Sequence, residues 1–425
     1  MERLLVRNGL VIDPLQNINE VSDILIEDGK ILKVGKNILD HTDKVLEAKG
    51  LVVMPGLVDM HVHLRDPGFT EKEDIYSGCN AALVGGITSL LCMPNTKPVI
   101  DNKDTIEYVQ KNAQRAKARV YICGSISKGL LGEELSDFQE YKQLGLKAVS
   151  DDGRPVANHE MMKAAMKLAQ ENNLLTISHC EDLSIVNGGI MHKGEISEKL
   201  MVKGIDRLSE DLVTEREIDL ARTTGTPIHI AHVSTKKAVD LVRQAKKEGI
   251  DVTCETCPHY FSFTHEKLLN RDADYRMNPP LRELEDVEAI IKGIQDGTID
   301  CIATDHAPHT KREKQDFLKA PNGVIGLETS LAASVRFLVE AGHIDMTRLV
   351  ELMSVNPAKR LGIQAGSLKP GLPADITLFD PKIQWTVLPE RLTSKSKNTA
   401  FKFERLTGRV KYALVQGEIA YVMRY

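Results

Sequence analysis

The sequence predicts an α/β protein built on a (β/α)8 barrel, with a small β-sandwich domain formed by both chain termini. Three observations predict it. From residue 57 onward, short apolar runs alternate eight times with longer amphipathic segments. Several of those segments close on Gly or Asn, as helix C-termini tend to do. Strand-like stretches punctuated by NG and DG turns occupy only the two ends of the chain. A length of 425 residues also exceeds what one hydrophobic core fills, which calls for a large domain plus a smaller one.

The eight runs are "GLVDMHVHL", "GITSLLCMPN", "ARVYICGSI", "LKAVSDD", "LLTISHC", "PIHIAHVS", "DVTCETC" and "DCIATDH". Between them lie helical patterns such as "NKDTIEYVQKNAQRAK", "NHEMMKAAMKLAQENN", "KKAVDLVRQAKKEG" and "DVEAIIKGIQDG". Strand–helix alternation produces parallel βαβ units, and eight of them in roughly 300 residues fit a closed barrel. An open doubly wound sheet is the rival arrangement, but no GxGxxG follows the first strand. The N-terminal end contributes "RLLVRNGLVI", "DILIEDGKILKVG" and "KVLEAKGLVV"; the C-terminal end contributes "PADITLFDP" and "VKYALVQGEIAYV". Neither end has enough apolar surface for its own core. Residues 1–54 and 366–425 are therefore expected to form one composite β domain, with a barrel of residues 55–365 inserted between them.

Composition narrows the function. With 42% hydrophobic and 27% charged residues, the chain is an ordinary soluble globular protein. Net charge is −5 with both signs interspersed and no run of five Lys or Arg, which argues against nucleic acid or an anionic membrane as the main partner. A compact anionic substrate needs only one or two local cations. The opening "MERLLVRNGLVIDP" is too poor in apolar residues for a secretory signal, and no window approaches the roughly 18 apolar residues of a membrane span. A cytoplasmic location is expected. The seven cysteines lie mostly inside strand-like runs and read as buried thiols of a reducing compartment. Cys254 and Cys257 in "CETC" lack the second pair that a structural zinc site requires.

The chemistry begins at "DMHVHLRDPG", residues 59–68. On a strand, His61 and His63 share one face with Cα atoms about 6.6 Å apart. They can converge on one metal at about 2.0–2.1 Å per bond. They also stand at the C-terminal end of the first barrel strand, the rim where barrel enzymes place their chemistry. Other strand ends supply Asp151 and Asp152 in "SDDG", His179 in "SHCED", His232 in "IAHVS", and Asp305, His306 and His309 in "TDHAPH". Imidazole and carboxylate donors without thiolate suit Zn²⁺, with Mn²⁺ or Co²⁺ as substitutes. The set is larger than one tetrahedral ion with an open position needs. Two metals sharing a bridging carboxylate are the better fit, about 3.5–4 Å apart, and they lower the pKa of a bridging water so that hydroxide exists at neutral pH. If the strand persists, Arg65 aims its fork into the same cavity, where it fits a carboxylate. Asn95 in "CMPNTKP" and Asn278 in "RMNPPLR" offer hydrogen bonds to an amide or carboxylate. His229, three before His232, faces the other way and reads as a packing residue.

Together, "DMHVHLRDPG", "CMPNT", "SDDG", "SHCED", "HVST", "NPPLR", "TDHAPH" and the tail "GSLKPGLPADITLFDP" resemble the cyclic amidohydrolases of the amidohydrolase superfamily. They are most similar to the bacterial type I dihydroorotases, along nearly the whole chain. The resemblance implies reversible hydrolysis of (S)-dihydroorotate to N-carbamoyl-L-aspartate in de novo pyrimidine synthesis. It further implies that His61 and His63 hold one zinc with Asp305, that His179 and His232 hold a second, and that Asp152 bridges them. Strand register decides between Asp151 and Asp152. Many superfamily members use a carboxylated lysine as the bridge, whereas here Lys147 lies well before the strand end. Two zinc ions per subunit are expected, with one as the alternative because an aspartate bridge is shorter. A metal-bridging hydroxide would be the nucleophile, and Asp305 the general base and then acid.

By the same resemblance His63, Arg65, Asn95, Asn278 and His309 would bind the substrate carboxylate and ring. The backbone at Asn322 and Gly323 in "APNGVIG" would close over the pyrimidine. Val324 and Tyr260 depart from the family pattern without touching an expected ligand. The rival activities are those of an allantoinase or a hydantoinase (dihydropyrimidinase), whose substrates lack the carboxylate that Arg65 would grip. A non-catalytic scaffold for aspartate carbamoyltransferase is the rival of another class, and the intact ligand set disfavours it. A homodimer is the expected assembly, with aspartate carbamoyltransferase as a candidate partner. Residues 309–323 are polar and long enough to form a lid.

Overall fold

The structure, a computed structural model, describes residues 3–424. Eight parallel strands stand side by side in chain order: Leu57–Val62, Ile87–Cys92, Arg119–Gly124, Ala148–Val149, Leu175–Ser178, Ile228–Ile230, Val252–Thr256 and Cys301–Ile302. Each falls inside one of the eight apolar runs. The ring closes just past the last strand, where Val62 bridges His306 in parallel and the His63 N–H donates to the His306 carbonyl at 2.9 Å. Strands of such a barrel are covered on both faces, which is why they are continuous apolar runs rather than alternating ones. Leu57–Val62 and Ile87–Cys92 are buried at every position.

The amphipathic segments form the outer helices Lys103–Ala113, His159–Glu171, Lys236–Lys247 and Leu284–Asp296. Asn102, Asn158 and Thr235 cap the first three by accepting the N3 amide hydrogen, so the backbone donors of the first turn are satisfied. The fourth ends on Gly297 at φ 82°, the left-handed position that glycine takes without strain. A 17-residue helix, Leu208–Thr224, carries no clean apolar stripe because Glu210, Asp211, Thr214 and Glu217 point inward and are buried. Glu210 explains its own burial. It accepts from the Ser234 and Thr235 amides and pairs with the buried Arg282 at 3.1 Å.

Both chain ends build a second, mostly antiparallel sheet. Its order is Glu418–Val422, Arg405–Val415, Ile376–Thr386, Val52–Pro55, Arg3–Asp13, Ile18–Glu27 and Lys30–Gly35, with Lys44–Glu47 also paired to Arg3–Asp13. It carries its own apolar cluster, including Leu4, Val6, Val11, Ile24, Ile376 and Leu414. Arg3–Asp13 pairs parallel with Val52–Pro55, which in turn runs antiparallel to Ile376–Thr386. A single residue, Gly56, then separates that sheet from the first barrel strand. Its N–H donates to the Asp375 carbonyl at 2.8 Å, and a Cβ there would stand 2.1 Å from Thr88 Oγ1 on the second barrel strand.

Gly56→Ala should therefore overpack this junction at a cost of about 1–3 kcal/mol, seen as a lower midpoint in urea or thermal unfolding. Adding Thr88→Ala, which removes the opposing atoms, should recover part of the loss. An unchanged midpoint for the single variant would show that the junction yields freely.

Candidate active site

A cavity of about 250 Å³ opens at the C-terminal ends of the barrel strands. Of the strand-end and loop residues singled out from the sequence, His63, Arg65, Asn95, Asp152, His179, His232, Asn278, Asp305, His309, Asn322 and Gly323 line it; Asp151 and His306 do not, and His61 is fully buried 3.3 Å from Asp152. Three of these residues leave their strands through left-handed backbone: Arg65 at φ 61°, His232 at φ 34° and Asp305 at φ 46°. Such conformations cost about 1–3 kcal/mol each in a residue with a Cβ and persist where the surroundings fix them. The first strand does not persist to Arg65; it ends at Val62, and the turn rather than the strand face delivers the guanidinium.

Asp152 is the hub. Its Oδ1 stands 3.3 Å from His61 Nε2, 3.5 Å from His179 Nδ1 and 3.7 Å from His232 Nε2, and its Oδ2 is 3.5 Å from His63 Nε2. Asp305 Oδ1 lies 3.1 Å from His63 Nε2 and 3.6 Å from His61 Nε2. Asp151 turns the other way: it accepts from the Ile126 and Ser127 amides and the Ser127 hydroxyl, tying down the loop after the third strand.

Each inward nitrogen is set by what holds the other side of its ring. His61 Nδ1 meets Glu255 Oε1 at 2.7 Å, His63 Nδ1 meets Asn95 Oδ1 at 2.8 Å, and His179 Nε2 meets Glu181 Oε2 at 3.0 Å. Such acceptors would hold the proton on the outward nitrogen when the inward one ligates a metal. Sequence reasoning missed Glu255 and Glu181. The signal for Glu255 was present: a carboxylate in the middle of "CETC", inside an apolar strand run, must have a buried partner. His229 is more than a packing residue, since its ring joins Thr253 Oγ1 at 2.7 Å to Glu255 Oε2 at 3.3 Å, behind His61. All seven cysteines are buried and unpaired.

The cluster is poised for positive charge. Burial alone would raise the pKa of Asp152, but His61, His179 and His232 hold it well below the usual carboxylate range. Asp305, also buried, is likewise lowered by His63 and His61, so it is ionised at neutral pH. Burial disfavours a charged His179, yet Asp152 and Glu181 lift its pKa to about 10. His61 is pushed upward against burial by Asp152 and Glu255. Carboxylates that draw protons onto imidazoles this strongly will hold a cation in their place. Three buried atoms in the cluster, His61 Nε2, Asp152 Oδ1 and His232 Nδ1, have no hydrogen-bond partner. The donor atoms of His61, Asp152 and His232, and those of His61, His63 and Asp305, form two groups whose members lie within 4.8 Å of one another. Nitrogen and oxygen donors in these numbers fit divalent metal.

On the far wall Arg65 is half-buried; its Nε donates to the Pro308 carbonyl at 3.3 Å and it has no carboxylate partner among the described residues. His309 Nε2–H donates to the Asn322 carbonyl at 2.9 Å, and burial together with Arg65 lowers its pKa to about 3, so the ring is neutral. Gly323 sits at φ 141°, and a Cβ there would stand 2.8 Å from the Ala307 carbonyl oxygen. Its N–H already donates to the Arg276 carbonyl at 2.9 Å. Segment 309–323 is anchored from below, where Lys314 Nζ donates to the carbonyls of Arg276, Pro321 and Gly323 at 3.1, 3.0 and 3.1 Å.

Known proteins share both the sequence and this architecture. The Amidohydrolase family profile matches residues 52–420. A dihydroorotase of Geobacter metallireducens is 50% identical over 421 residues, covering 98% of this chain and 99% of its own. A dihydroorotase of Acetivibrio thermocellus is 48% identical over 418 residues, 98% of each chain. Among solved structures, the L-hydantoinase (dihydropyrimidinase) of Arthrobacter aurescens superposes with a TM-score of 0.90 at 26% identity, covering 100% of this chain and 98% of the other.

Glu255→Ala removes the acceptor that orients His61. Metal affinity should weaken about 10–100-fold, measured on the folded protein by competition with a chromophoric chelator. An unchanged affinity would assign Glu255 to packing alone.

Proposed function

The chain belongs to the amidohydrolase family, and from that premise we propose that it is a dihydroorotase, hydrolysing (S)-dihydroorotate reversibly to N-carbamoyl-L-aspartate in pyrimidine biosynthesis. One observation carries the choice of substrate: Arg65, a half-buried guanidinium without a carboxylate partner, faces the same cavity as the imidazole–carboxylate cluster. A ring that bears a carboxylate fills that position with a bidentate ion pair. The neutral rings of hydantoin and dihydrouracil would leave Arg65 unpaired, at the cost of a buried charge. Identity of 48–50% to dihydroorotases, against 26% to the hydantoinase, supports the same choice.

His61, His63 and Asp305 would hold one zinc ion, and His179 and His232 a second, with Asp152 between the two groups. Divalent metal there supplies Lewis-acid polarisation of a carbonyl oxygen and lowers the proton affinity of water. The residues do the rest. Asp305, ionised and 3.1 Å from His63 Nε2, accepts the proton of the attacking water on its carboxylate and delivers it to the departing ring nitrogen. Arg65 grips the substrate carboxylate, away from the bond that breaks, and so fixes the ring's orientation. Neutral His309, with Asn95 and Asn278, lines the remainder of the ring site, and Asn322 and Gly323 wall it off.

No described helix is long and apolar enough to cross a membrane. The seven unpaired, buried thiols support a cytoplasmic location. The proposal extends to a homodimer, with aspartate carbamoyltransferase as a candidate partner, both read out by size-exclusion chromatography with light scattering.

On one preparation, zinc content should approach two per chain, and dihydroorotate should be turned over at least about a hundredfold faster than hydantoin or dihydrouracil. Comparable rates on the neutral rings would reject the substrate assignment. Asp305→Asn should lower kcat about a thousandfold with little change in KM; near-normal turnover would remove Asp305 as the proton carrier. Arg65→Lys should raise KM about tenfold or more, because an ammonium cannot reproduce the planar fork.

A further inference from the structure

Glu181 has two partners of different kinds. Its Oε2 holds His179 Nε2 at 3.0 Å, and its Oε1 accepts from Asn278 Nδ2 at 2.9 Å. The side chain is buried, so both oxygens must find donors inside the protein. Asn278 lines the cavity, and with its NH2 turned to Glu181 its Oδ1 is left without a donor among the described residues. Rotating the amide would set that oxygen against Glu181 Oε1, acceptor facing acceptor, so the orientation is fixed rather than free.

A second side-chain amide of the cavity, Asn95, is set the opposite way. Asn95 Oδ1 is turned to His63 Nδ1, and its Nδ2 donates to Asp152 Oδ2 at 3.3 Å, which leaves one N–H to spare. Arg65 is a donor as well. Outside the imidazole–carboxylate cluster, Asn278 Oδ1 is thus a side-chain amide acceptor fixed by a neighbour, whereas Asn322 Oδ1, also on the cavity wall, is buried without a partner.

We propose that Glu181 is a positioning residue that sets the polarity of the substrate site: it steadies His179 with one oxygen and, with the other, locks Asn278 as a hydrogen-bond acceptor. The site then selects a ring that presents an N–H to Asn278, as the ureide portion of a cyclic N-acylurea does, and rejects one that presents only acceptors there. The substrate half of this inference rests on the dihydroorotase reading; the orientation of His179 does not.

A double-mutant cycle tests it. With dihydroorotate and saturating zinc, Glu181→Gln should raise KM about tenfold in the parent and less than about twofold in an Asn278→Ala background, because the effect travels through the amide. Zinc loss to a chelator should quicken about tenfold in Glu181→Gln and stay at the parent rate in Asn278→Ala. Equal KM effects in both backgrounds, or no effect in the parent, would overturn the amide-locking role. Unchanged zinc loss in Glu181→Gln would overturn the role at His179. Should Glu181→Gln fail to fold by circular dichroism, Glu181→Asp, which keeps the charge on a shorter arm, is put through the same cycle and judged by the same outcomes. A parent that binds zinc but ignores dihydroorotate would sink the substrate reading, while the zinc-loss comparison still decides the His179 half.

Discussion

Asp152 lies within 3.3 to 3.7 Å of an imidazole nitrogen from each of four histidines that reach it from three different barrel strands. In a buried site this is a demanding arrangement. Carboxylates there are stable only beside positive charge, and imidazoles only where each ring has a defined proton. Both demands are met by geometry that local sequence cannot provide, because the contributing segments are separated by up to about half the chain. Barrel closure between Val62 and His306 supplies it. With the ring open at that seam, His61 and Asp305 would part and the hub would have unpaired charge in a dry interior.

Around the hub sits a layer that decides which nitrogen each histidine presents. Glu255, Asn95 and Glu181 each take the outward side of one ring. Two of the three also serve a second partner that belongs to the cavity. Asn95 reaches Asp152, and Glu181 reaches Asn278. The imidazole–carboxylate cluster and the cavity wall are therefore not independent modules, and a change made to one is felt by the other through a shared side chain. Segment 309–323 is fastened as well, with the buried Lys314 Nζ meeting three carbonyls.

The order and type of the barrel strands were legible because parallel strands covered on both faces leave short continuous apolar runs, here alternating with longer amphipathic segments. The rim residues were legible for a related reason: histidines and aspartates at the ends of such runs stand out against the apolar background. The helix Leu208–Thr224 was not, since its inward face carries Glu210, Asp211, Thr214 and Glu217, and a polar buried face erases the period that marks a helix. Glu255 was overlooked, and His229 read only as a packing residue, for a different reason. A residue that acts through another shows no spacing to its partner along the chain, and only the meeting of the first, sixth and seventh strands brings them together. Arg65 reached the cavity by a route that strand alternation could not foresee, a left-handed turn beyond the strand end.

The composite sheet has a consequence for how the molecule is made. Val52–Pro55, one residue upstream of the strand that carries His61, is flanked on one side by Arg3–Asp13 and on the other by Ile376–Thr386. During synthesis Arg3–Asp13 precedes this strand, while Ile376–Thr386 leaves the ribosome about 320 residues after it. Throughout that interval one edge of the strand leading into the catalytic rim has no permanent neighbour. A late-made strand is thus a keystone for an early-made one, and a chain stopped before residue 376 would hold its barrel strands while their entry strand hangs from a half-built wall.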